Sequence, residues 1–453
     1  MDSAHPQPPG SASPWPAPAA AGPVRARLAI PGSKSVTNRA LVLAALADGP
    51  GTIRRPLHAR DTLLMCQALT ALGATISDNV HYASDVPGAA PSWHVVPGQA
   101  AADTSVDVGN AGTVMRFAPP VAALSPVSVS FHGDPRAAQR PVGPVLASLR
   151  ELGAVIDDGG RGAIPFTVHG TGSLAGGLVT LDASASSQFV SGLLLAAPRF
   201  DKGVEIRHRG PRGPSAPHIA MTVQMLRDAG AEVEAWAQAD PAGPPDTWRV
   251  HPGVLRHHDV SVEPDLSNAV PFLAAALVTG GTVTIEQWPV VTSQPAGQIL
   301  SLLTSFGADC VLADDALTVT GPGRIRGVTA DLADAPESAL VAAALATLAD
   351  GPSRLTGIAH VRLQETDRLA ALATEINALG GNVTELADGL EIRPRPLRAG
   401  GRPFASYDDH RLVMAAAVLG LAVPGIEVAN ADTVGKTFPG FMELWASMLE
   451  RVP

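Results

Sequence analysis

Apolar, helix-like stretches that end in a glycine and pass into a short β-branched run recur along the whole chain. The glycines that end them are Gly73, Gly153, Gly230, Gly307 and Gly380, which are separated by 73 to 80 residues. Glycine is the usual residue at the left-handed position that ends a helix, and Val, Ile and Thr favour strands. The spacing therefore predicts a repeated unit in which a helix leads into a strand.

A second pattern alternates with the first and consists of alanine-rich stretches that are apolar almost all round before they turn into a strand. They lie at residues 41–53, 121–131, 193–206, 272–285, 341–355 and 415–428. A helix that is apolar on every face is predicted to be buried. Together the two patterns predict six units, each with about two helices and three or four strands. The last unit is shortened, and residues 441–449 form its final helix.

A chain of 453 residues is too long for one hydrophobic core. Six similar units can form either one closed ring or two groups of three. Solenoids and propellers use shorter and simpler repeats, so two domains of three units each fit the domain-size limits better. The midpoint falls at residues 262–265, and a cleft between two such domains is a natural place for a ligand.

The charge balance limits the kinds of partner. The net charge is −10 and the isoelectric point about 5.7, which argues against nucleic acid or an acidic membrane surface as a partner. A small anionic substrate remains possible because its site needs only a few local cations. The longest apolar run, at residues 412–423, is too short to cross a bilayer.

The N-terminal segment and the cysteines favour a location in the cytoplasm. Residues 1–22 are rich in Pro, Ala and Ser and lack the basic start and apolar centre of a signal peptide, so they are predicted to be a disordered tail. Cys66 and Cys310 have no metal-binding spacing, and each lies in an apolar context. We expect both to be buried core thiols without a disulfide.

The stretch at residues 31–39 reads Pro-Gly-Ser-Lys-Ser-Val-Thr-Asn-Arg, between a predicted strand at residues 28–30 and an apolar helix. Its hydroxyl groups, together with Lys34 and Arg39, surround a helix start, which has free backbone N–H groups and a positive dipole end. This combination predicts an anion site. An ordinary capped helix start with solvated charges is the alternative.

Further clusters place cations or small hydroxyl residues at predicted strand-to-helix junctions. They lie at residues 109–116, 133–141, 184–189, 364–369, 407–411 and 435–440. Each alone has an ordinary explanation as a turn, a solvated loop, a helix cap or a surface ion pair. Together they predict a ligand with more than one anionic group, because guanidinium groups suit carboxylate and phosphate.

These motifs resemble those of the 5-enolpyruvylshikimate-3-phosphate synthase family, the 3-phosphoshikimate 1-carboxyvinyltransferases. The matching segments are residues 31–39, 110–116, 136–141, 186–189, 365–369, 409–411 and 436–439, in family order and spanning nearly everything after residue 22. The resemblance implies an α/β (α+β) fold of two domains, each with three βαβαββ units in an inside-out α/β barrel, with the ligands in the interdomain cleft. It implies an N-terminal domain at residues 33–263 and a C-terminal domain at residues 24–32 plus 264–453, since the chain would cross twice.

The resemblance also implies a reaction. The enolpyruvyl group of phosphoenolpyruvate would pass to the 5-hydroxyl of shikimate 3-phosphate, with release of phosphate and without a metal or cofactor. C3 of phosphoenolpyruvate is protonated, C2 becomes cationic and is attacked by the hydroxyl, and the added proton is later lost as phosphate leaves. The reaction needs an acid that also acts as a base, and cations for two phosphates and two carboxylates. A cytoplasmic monomer is expected.

Site residues follow from the resemblance. Shikimate 3-phosphate would be bound by Ser35, Arg39, Ser186, Ser187, Gln188, Ser215, Glu337, His360 and Gln364. Phosphoenolpyruvate would be bound by Lys34, Asn110, Gly112, Arg140, Gln188, Arg368, Arg411 and Lys436. Catalysis would use Glu365 for proton transfer, together with Lys34 and Glu337. The inhibitor glyphosate would bind beside Gly112, so sensitivity to it is expected.

The chain departs from the family pattern at several positions. Glu337 is the candidate for an aspartate that bonds the attacking hydroxyl, with Asp334 as the second choice. Gln364 stands where a lysine often precedes the catalytic glutamate. His360 and His218 stand where asparagine and tyrosine are often found, and both can still form hydrogen bonds.

Two alternatives remain open. The sister enolpyruvyltransferase acts on UDP-N-acetylglucosamine and typically carries a cysteine-bearing loop, whereas Cys66 and Cys310 lie in helix–strand repeat positions. A catalytically inactive homologue that only binds shikimate 3-phosphate is favoured weakly by Gln364. Retention of Lys34 and Glu365, among other charged motif residues, argues against inactivity.

Overall fold

The computed structural model describes residues 13–78, 91–211, 213, 215–238 and 243–450. These residues form five four-stranded sheets and one three-stranded sheet. The elements follow one another as six βαβαββ motifs, of which the last lacks its two final strands. The predicted repeat and the α/β class are therefore confirmed.

The chain divides into two units. The N-terminal unit consists of the described residues of Pro31–Leu266 and Pro289–Ala296, and the C-terminal unit consists of those of Met1–Ile30, Ser267–Trp288 and Gly297–Pro453. The predicted boundaries differ because residues 31–32 and 264–266 fall in the N-terminal unit. The short segment 289–296 also belongs there, so the chain passes between units four times rather than twice.

The N-terminal unit contains three sheets. In each sheet the strand at one edge is parallel to its neighbour, and the remaining neighbouring strands are antiparallel. Its strands are Val260–Ser261, Gly51–Arg54, Thr75–Asp78, Ser92–Val96, Thr104–Asp107, Ser128–His132, Val155–Asp157, Phe166–His169, Gly177–Leu181, Val204–His208, Val233–Trp236 and Thr247–Val250. Its helices are Lys34–Leu46, Arg60–Ala71, Gly112–Ala123, Gly143–Glu151, Gln188–Ala196 and Ala216–Asp228, with 3-10 turns at Ala137–Gln139 and Ala197–Arg199. The strand Val260–Ser261 comes from the fourth motif and completes the first sheet.

Three helices form the centre of the N-terminal unit. Lys34–Leu46, Gly112–Ala123 and Gln188–Ala196 pack against one another, and nearly all of their residues are buried. Their sequences are mainly apolar, and the polar residues Thr37, Asn38 and Arg39 of the first helix are buried as well, which agrees with the central position of the helices. Each of these helices begins at one of the motifs predicted to bind anions.

The C-terminal unit repeats this plan. Its strands are Arg25–Leu28, Thr282–Glu286, Asp309–Ala313, Ala316–Thr320, Thr329–Asp331, Ser353–Thr356, Val383–Leu386, Gly389–Ile392, Phe404–Ala405, Glu427–Ala429 and Trp15–Pro16. Its helices are Leu266–Thr279, Ala296–Ser305, Ala339–Thr347, Arg368–Ala378, His410–Ala422 and Phe441–Glu450, with 3-10 turns at Pro336–Ser338, Ala359–Leu363 and Ala431–Lys436. Arg25–Leu28 pairs in parallel with Thr282–Glu286. Phe272, Phe438, Phe441 and Trp445 form an aromatic cluster in its core.

The first described strand completes the shortened sixth motif. Trp15–Pro16 pairs antiparallel with Glu427 and Val428, where the other sheets have the last strand of their own motif. Ala17 is buried, and its N–H donates to the carbonyl of Ile426 (2.9 Å). The predicted disorder of residues 1–22 is therefore wrong for residues 15–22, while residues 1–12 lie outside the described residues. A sheet edge with unpaired backbone groups orders the segment, and composition does not reveal such an edge.

Two smaller predictions also needed correction. Cys66 and Cys310 are free thiols, but both are only partly buried rather than core residues. The strand predicted at residues 28–30 is instead Arg25–Leu28, so it begins earlier and ends at Leu28. In the part of the chain that the structure describes, no helix has both the length and the apolar character needed to cross a membrane.

Candidate active site

The first candidate motif opens the helix Lys34–Leu46. Ser33 is the N-cap, and its Oγ accepts a hydrogen bond from the Val36 N–H (3.4 Å). The helix begins before the apolar stretch because its polar first turns are held by side-chain partners. Asn38, for example, is buried and donates to Thr113 Oγ1 (2.7 Å). The cap leaves Lys34 and Ser35, both partly buried, at the helix start.

Lys34 lies beside a buried carboxylate. Its Nζ is 3.3 Å from Oδ2 of Asp61, which is 2% exposed, and its backbone N–H donates to Asp265 Oδ2 (3.1 Å). Oδ1 of Asp61 is buried and has no hydrogen-bond partner. A buried acceptor without a partner is costly, so this carboxylate is a potential partner for a hydroxyl group of a ligand.

Arg39 is fully buried and held by neutral oxygens. Its guanidinium donates to Thr222 Oγ1 (2.7 Å), to the carbonyls of Ser35 and His218 (both 3.0 Å) and to Ser191 Oγ (3.3 Å). Burial lowers the pKa of Arg39 to about 9, because no carboxylate compensates the charge. Arg39 thus ties Ser35 to the helix Ala216–Asp228, and its predicted contact with a substrate remains a prediction.

Arg140 is a second buried cation with neutral partners. Its Nη1 donates to the carbonyl (2.6 Å) and to Oδ1 (2.9 Å) of Asn110, and its Nε is buried without a partner. In the same loop, Arg136 donates to Gln139 Oε1 (2.6 Å), and Arg140 joins the motif at Asn110.

Gly112 is surrounded by polar side-chain ends. Arg116, one helical turn further on, donates to Gln188 Oε1 (2.8 Å) and to the carbonyl of Pro141 (2.8 Å). A Cβ atom on Gly112 would stand 2.6 Å from Arg140 Nη2 and 2.7 Å from Arg116 Nη1. The missing side chain therefore lets two guanidinium groups approach the backbone at a helix start, and such a group of donors suits an anion.

The predicted serines lie at two other helix starts in the same unit. Ser186 Oγ accepts from the Gln188 N–H (3.2 Å), so one serine performs the capping role. Ser187, buried, makes no side-chain cap bond. Ser215 precedes the helix Ala216–Asp228 in a left-handed conformation (φ 56°) and also makes no cap bond. Left-handed backbone at a non-glycine residue is often associated with functional sites.

In the C-terminal unit, Glu365 lies between two cations. Its Oε2 is 3.0 Å from Arg368 Nη2, and its Oε1 is 3.6 Å from Lys436 Nζ. The three residues are at most 9% exposed, so the spacing of Glu365 and Arg368 does not mark an ordinary surface ion pair. A carboxylate positioned in this way can serve as a general acid and base for a bound substrate.

Asp409 organises the cations. It is completely buried and accepts from Arg368 Nε (2.7 Å), Arg368 Nη2 (3.1 Å) and the Arg411 N–H (2.9 Å). Burial alone would lower the pKa of Arg368, but Asp409 and Glu365 more than offset it and the pKa is raised. Arg411 Nη1 donates to the carbonyl of Glu337 (3.1 Å). Asp409, the N-cap of the helix His410–Ala422, thus holds both Arg368 and Arg411 in place.

Three of the residues that depart from the family pattern, Glu337, His360 and Gln364, also lie in this unit, whereas His218 lies on the helix Ala216–Asp228 of the N-terminal unit. Glu337 lies in the 3-10 turn Pro336–Ser338 and interacts electrostatically with both His360 and Arg368. Burial lowers the pKa of His360 to about 4, and Nε2 of its ring is buried without a partner. Gln364 Oε1 accepts from Arg368 Nη1. The interactions of Glu337 with His360 and Arg368 favour it over Asp334 as the residue that bonds the attacking hydroxyl.

The pKa of His360 predicts a dependence of stability on pH. The unfolded chain binds a proton at this residue near pH 6.5, whereas the folded chain does so only near pH 4, so acid favours unfolding between these values. The stability of the wild type relative to His360→Asn should fall by about 2 kcal/mol from pH 7 to pH 5. Chemical unfolding at both pH values measures this, with exposed His94→Asn as the control. A difference that is constant with pH would contradict it.

Several participating residues were not assigned from the sequence. The sequence does not distinguish Asp61 as a site residue, because an acidic residue in the first turn of a helix is common. Arg116 could have been found from its spacing of one turn from Gly112, which places both on one helix face. Asp409 stood in a recognised motif, but only the fold shows that it joins Arg368 to Arg411. The described residues contain no group of three or more His, Cys, Asp or Glu side chains suited to a metal ion.

Comparisons with known proteins identify relatives of this chain in sequence and in fold. The family model for EPSP synthase (3-phosphoshikimate 1-carboxyvinyltransferase) matches residues 18–445. A 3-phosphoshikimate 1-carboxyvinyltransferase from Kocuria rhizophila is 52% identical over 441 residues, which is 96% of each chain. An EPSP synthase structure from Acinetobacter baumannii superposes with a TM-score of 0.75 and 26% identity, covering 96% of this chain and 97% of that one. The enolpyruvyl transferase NikO from Streptomyces tendae, at 18% identity and a TM-score of 0.69 over 95% and 96% of the two chains, shares the fold. The chain belongs to the EPSP synthase (3-phosphoshikimate 1-carboxyvinyltransferase) family.

Proposed function

We propose that this protein transfers the enolpyruvyl group of phosphoenolpyruvate to the 5-hydroxyl of shikimate 3-phosphate and releases phosphate. The observation that carries the proposal is the position of Glu365, nearly buried and in contact with both Arg368 and Lys436. Membership of the family and the buried cations Arg39 and Arg140, which have only neutral acceptors, support it.

Glu365 is the proposed acid and base of the reaction. As an acid it gives a proton to C3 of phosphoenolpyruvate, so that C2 becomes cationic and is attacked by the hydroxyl oxygen. As a base it takes a proton back from the methyl group so formed, and the C2–O bond to phosphate breaks. Arg368 and Lys436 stabilise its charged form between the two steps and attract the phosphate that leaves.

Binding of phosphoenolpyruvate is proposed to use several cations and their neighbours. The cations and their neighbours are Lys34, Asn110, Gly112, Arg140, Gln188, Arg368, Arg411 and Lys436. A dianionic phosphate and a carboxylate require several donors, and arginine forks supply paired N–H groups. The absence of a side chain at Gly112 lets the guanidinium groups of Arg140 and Arg116 lie close to the helix start, where they can bind the anion.

Binding of shikimate 3-phosphate is proposed to use hydroxyl, amide and guanidinium donors. These residues are Ser35, Arg39, Ser186, Ser187, Gln188, Ser215, Glu337, His360 and Gln364. Glu337 is the proposed base that accepts the hydroxyl proton, with neutral His360 near it as a hydrogen-bonding partner for the substrate. Gln364 offers a neutral amide where a lysine would add charge, so we expect phosphate binding to depend more on the arginines.

The two alternatives receive less support. Burial raises the pKa of the Cys66 thiol to about 12 and also raises that of Cys310. A thiol that stays protonated is a poor nucleophile, which disfavours the cysteine-dependent sister transferase. An inactive homologue would have no need for Glu365 to keep its contact with Lys436. We further propose that the protein acts as a monomer in the cytoplasm on these two small anions.

Gly112→Ala should raise the KM for phosphoenolpyruvate by about tenfold and weaken inhibition by glyphosate. The added methyl group would stand within 2.7 Å of two guanidinium nitrogens, and a contact that close must push them out of position. Steady-state kinetics with and without the inhibitor measure both effects. Gly297→Ala, where a Cβ meets nothing within 4 Å, is the matched control. Unchanged kinetics in Gly112→Ala would remove this glycine from the proposed site.

The test of the proposed function is phosphate release by the purified chain from phosphoenolpyruvate, with shikimate 3-phosphate or UDP-N-acetylglucosamine as the acceptor. We expect release with shikimate 3-phosphate alone. Release with UDP-N-acetylglucosamine alone would identify the sister transferase. Binding of shikimate 3-phosphate without any release would favour the inactive homologue.

A further inference from the structure

The segment from Arg402 to Asp409 leads directly into the helix that carries Arg411. Two successive non-glycine residues within it, Tyr407 and Asp408, have left-handed backbone with φ of 52° and 56°. Left-handed backbone is unfavourable for a residue with a side chain, so contacts with the surrounding structure must hold the conformation. The segment is therefore an element whose shape depends on specific anchors.

One anchor is the buried carboxylate of Glu375. Although it is 2% exposed, it accepts four hydrogen bonds from this segment. The donors are Arg402 Nη1 (2.8 Å), Arg402 Nη2 (3.1 Å), the Ala405 N–H (3.1 Å) and the Tyr407 hydroxyl (2.9 Å). A buried carboxylate with this many donors holds its neighbours in one geometry.

The second anchor lies on the same helix. Glu375 and Arg368 are seven residues apart on Arg368–Ala378, which places them on one face about 10 Å from each other. Arg368 bonds Asp409, and Glu375 bonds the segment just before it. One helix face therefore fixes both ends of the segment that delivers Asp409 and Arg411.

We propose that Glu375, acting with Tyr407 and Arg402, is a positioning residue that sets the place of Asp409 and Arg411 for binding phosphoenolpyruvate. The inference rests on the proposed function, since Arg368 and Arg411 are proposed to bind that substrate. Burial and the neighbouring Glu375 raise the pKa of Tyr407 to about 12, so its hydroxyl remains a donor. None of the three residues is proposed to touch a substrate.

Asp158 provides a matched control in the N-terminal unit. It is 5% exposed and accepts from Arg150 Nη2 (2.8 Å) and from the N–H groups of Gly160 (3.0 Å) and Gly162 (2.9 Å). It thus joins an arginine to a loop, as Glu375 does, but its loop contains no proposed site residue. Asp158→Asn should reduce thermal stability without changing either KM.

The experiment compares Glu375→Gln, Tyr407→Phe and Asp158→Asn with the wild type by thermal unfolding and by the KM for each substrate. We expect Glu375→Gln to raise the KM for phosphoenolpyruvate about tenfold and Tyr407→Phe about threefold, with the KM for shikimate 3-phosphate changed by less than about twofold. A merely structural role would lower stability without separating the two KM values.

The inference would be overturned if both variants leave the two KM values unchanged or raise them equally while the wild type is active. If Glu375→Gln does not fold, Tyr407→Phe decides by the same comparison, because it removes only one hydroxyl group. An inactive wild type would overturn the proposed function and this inference together, so the two failures are distinguishable.

Discussion

Glu365→Gln should lower kcat by about a thousandfold, because general acid–base catalysis by one positioned group contributes factors of roughly 10² to 10⁴. Glutamine keeps the size of the side chain and can still accept from Arg368, but it cannot give or take the C3 proton. The KM for shikimate 3-phosphate should change little, since Glu365 is not proposed to bind it. Single-turnover and steady-state rates of product formation measure the effect.

Asp367→Asn is the control for this variant. Asp367 lies two residues away, caps the helix through the Ala370 N–H (3.1 Å) and pairs with Arg362 (2.9 Å). Its asparagine variant keeps the capping function and should retain kcat within about twofold. If Glu365→Gln kept most of its activity, another group would have to move the proton, and the proposed mechanism would be wrong.

Arg368→Met should lower the free energy of unfolding by about 3–5 kcal/mol and abolish measurable binding of phosphoenolpyruvate. Removing one partner of a buried ion pair leaves the other charge uncompensated. Here Arg368 is the partner of both Asp409, which is completely buried, and Glu365. Urea unfolding, combined with titration of phosphoenolpyruvate in the presence of shikimate 3-phosphate, measures both losses.

Arg393→Met is the control for the loss of an arginine in the same unit. Its pair with Glu391 is 2.9 Å long but 67% of the Arg393 side chain is exposed, and such pairs contribute little to stability. The change should be below about 1 kcal/mol. Equal losses in the two variants would mean that the buried cluster around Asp409 has no special role in stability.

The repeated fold could be predicted because it is encoded locally. Helix-ending glycines such as Gly153 and Gly307 have left-handed backbone (φ 107° and 106°), and this requirement shows directly in the sequence. The strand Trp15–Pro16 could not be predicted, because its order depends on a sheet edge that is more than 400 residues away along the chain. The Pro-, Ala- and Ser-rich composition of this segment carries no information about the strand with which it pairs.

The candidate site was predicted in part, and for a similar reason. Cations at helix starts, such as Lys34 and Arg411, stand in recognisable motifs. Asp61 and Glu375 act through partners that are distant in sequence. The sequence alone does not distinguish a buried carboxylate from an exposed one. The position of Arg39, buried among neutral oxygens, likewise follows from packing against Thr222 and Ser191 rather than from its own motif.

The central claim is that this chain transfers the enolpyruvyl group through protonation at C3, with Glu365 as the acid and base. The most direct measurement is the reaction in deuterium oxide, followed by mass spectrometry and proton spectra of the enolpyruvyl product. We predict that deuterium enters the vinyl methylene group, because a methyl group forms and then loses one of its hydrogens. Glu365→Gln should slow incorporation as much as it slows transfer. A product without deuterium, or no product at all, would contradict the account.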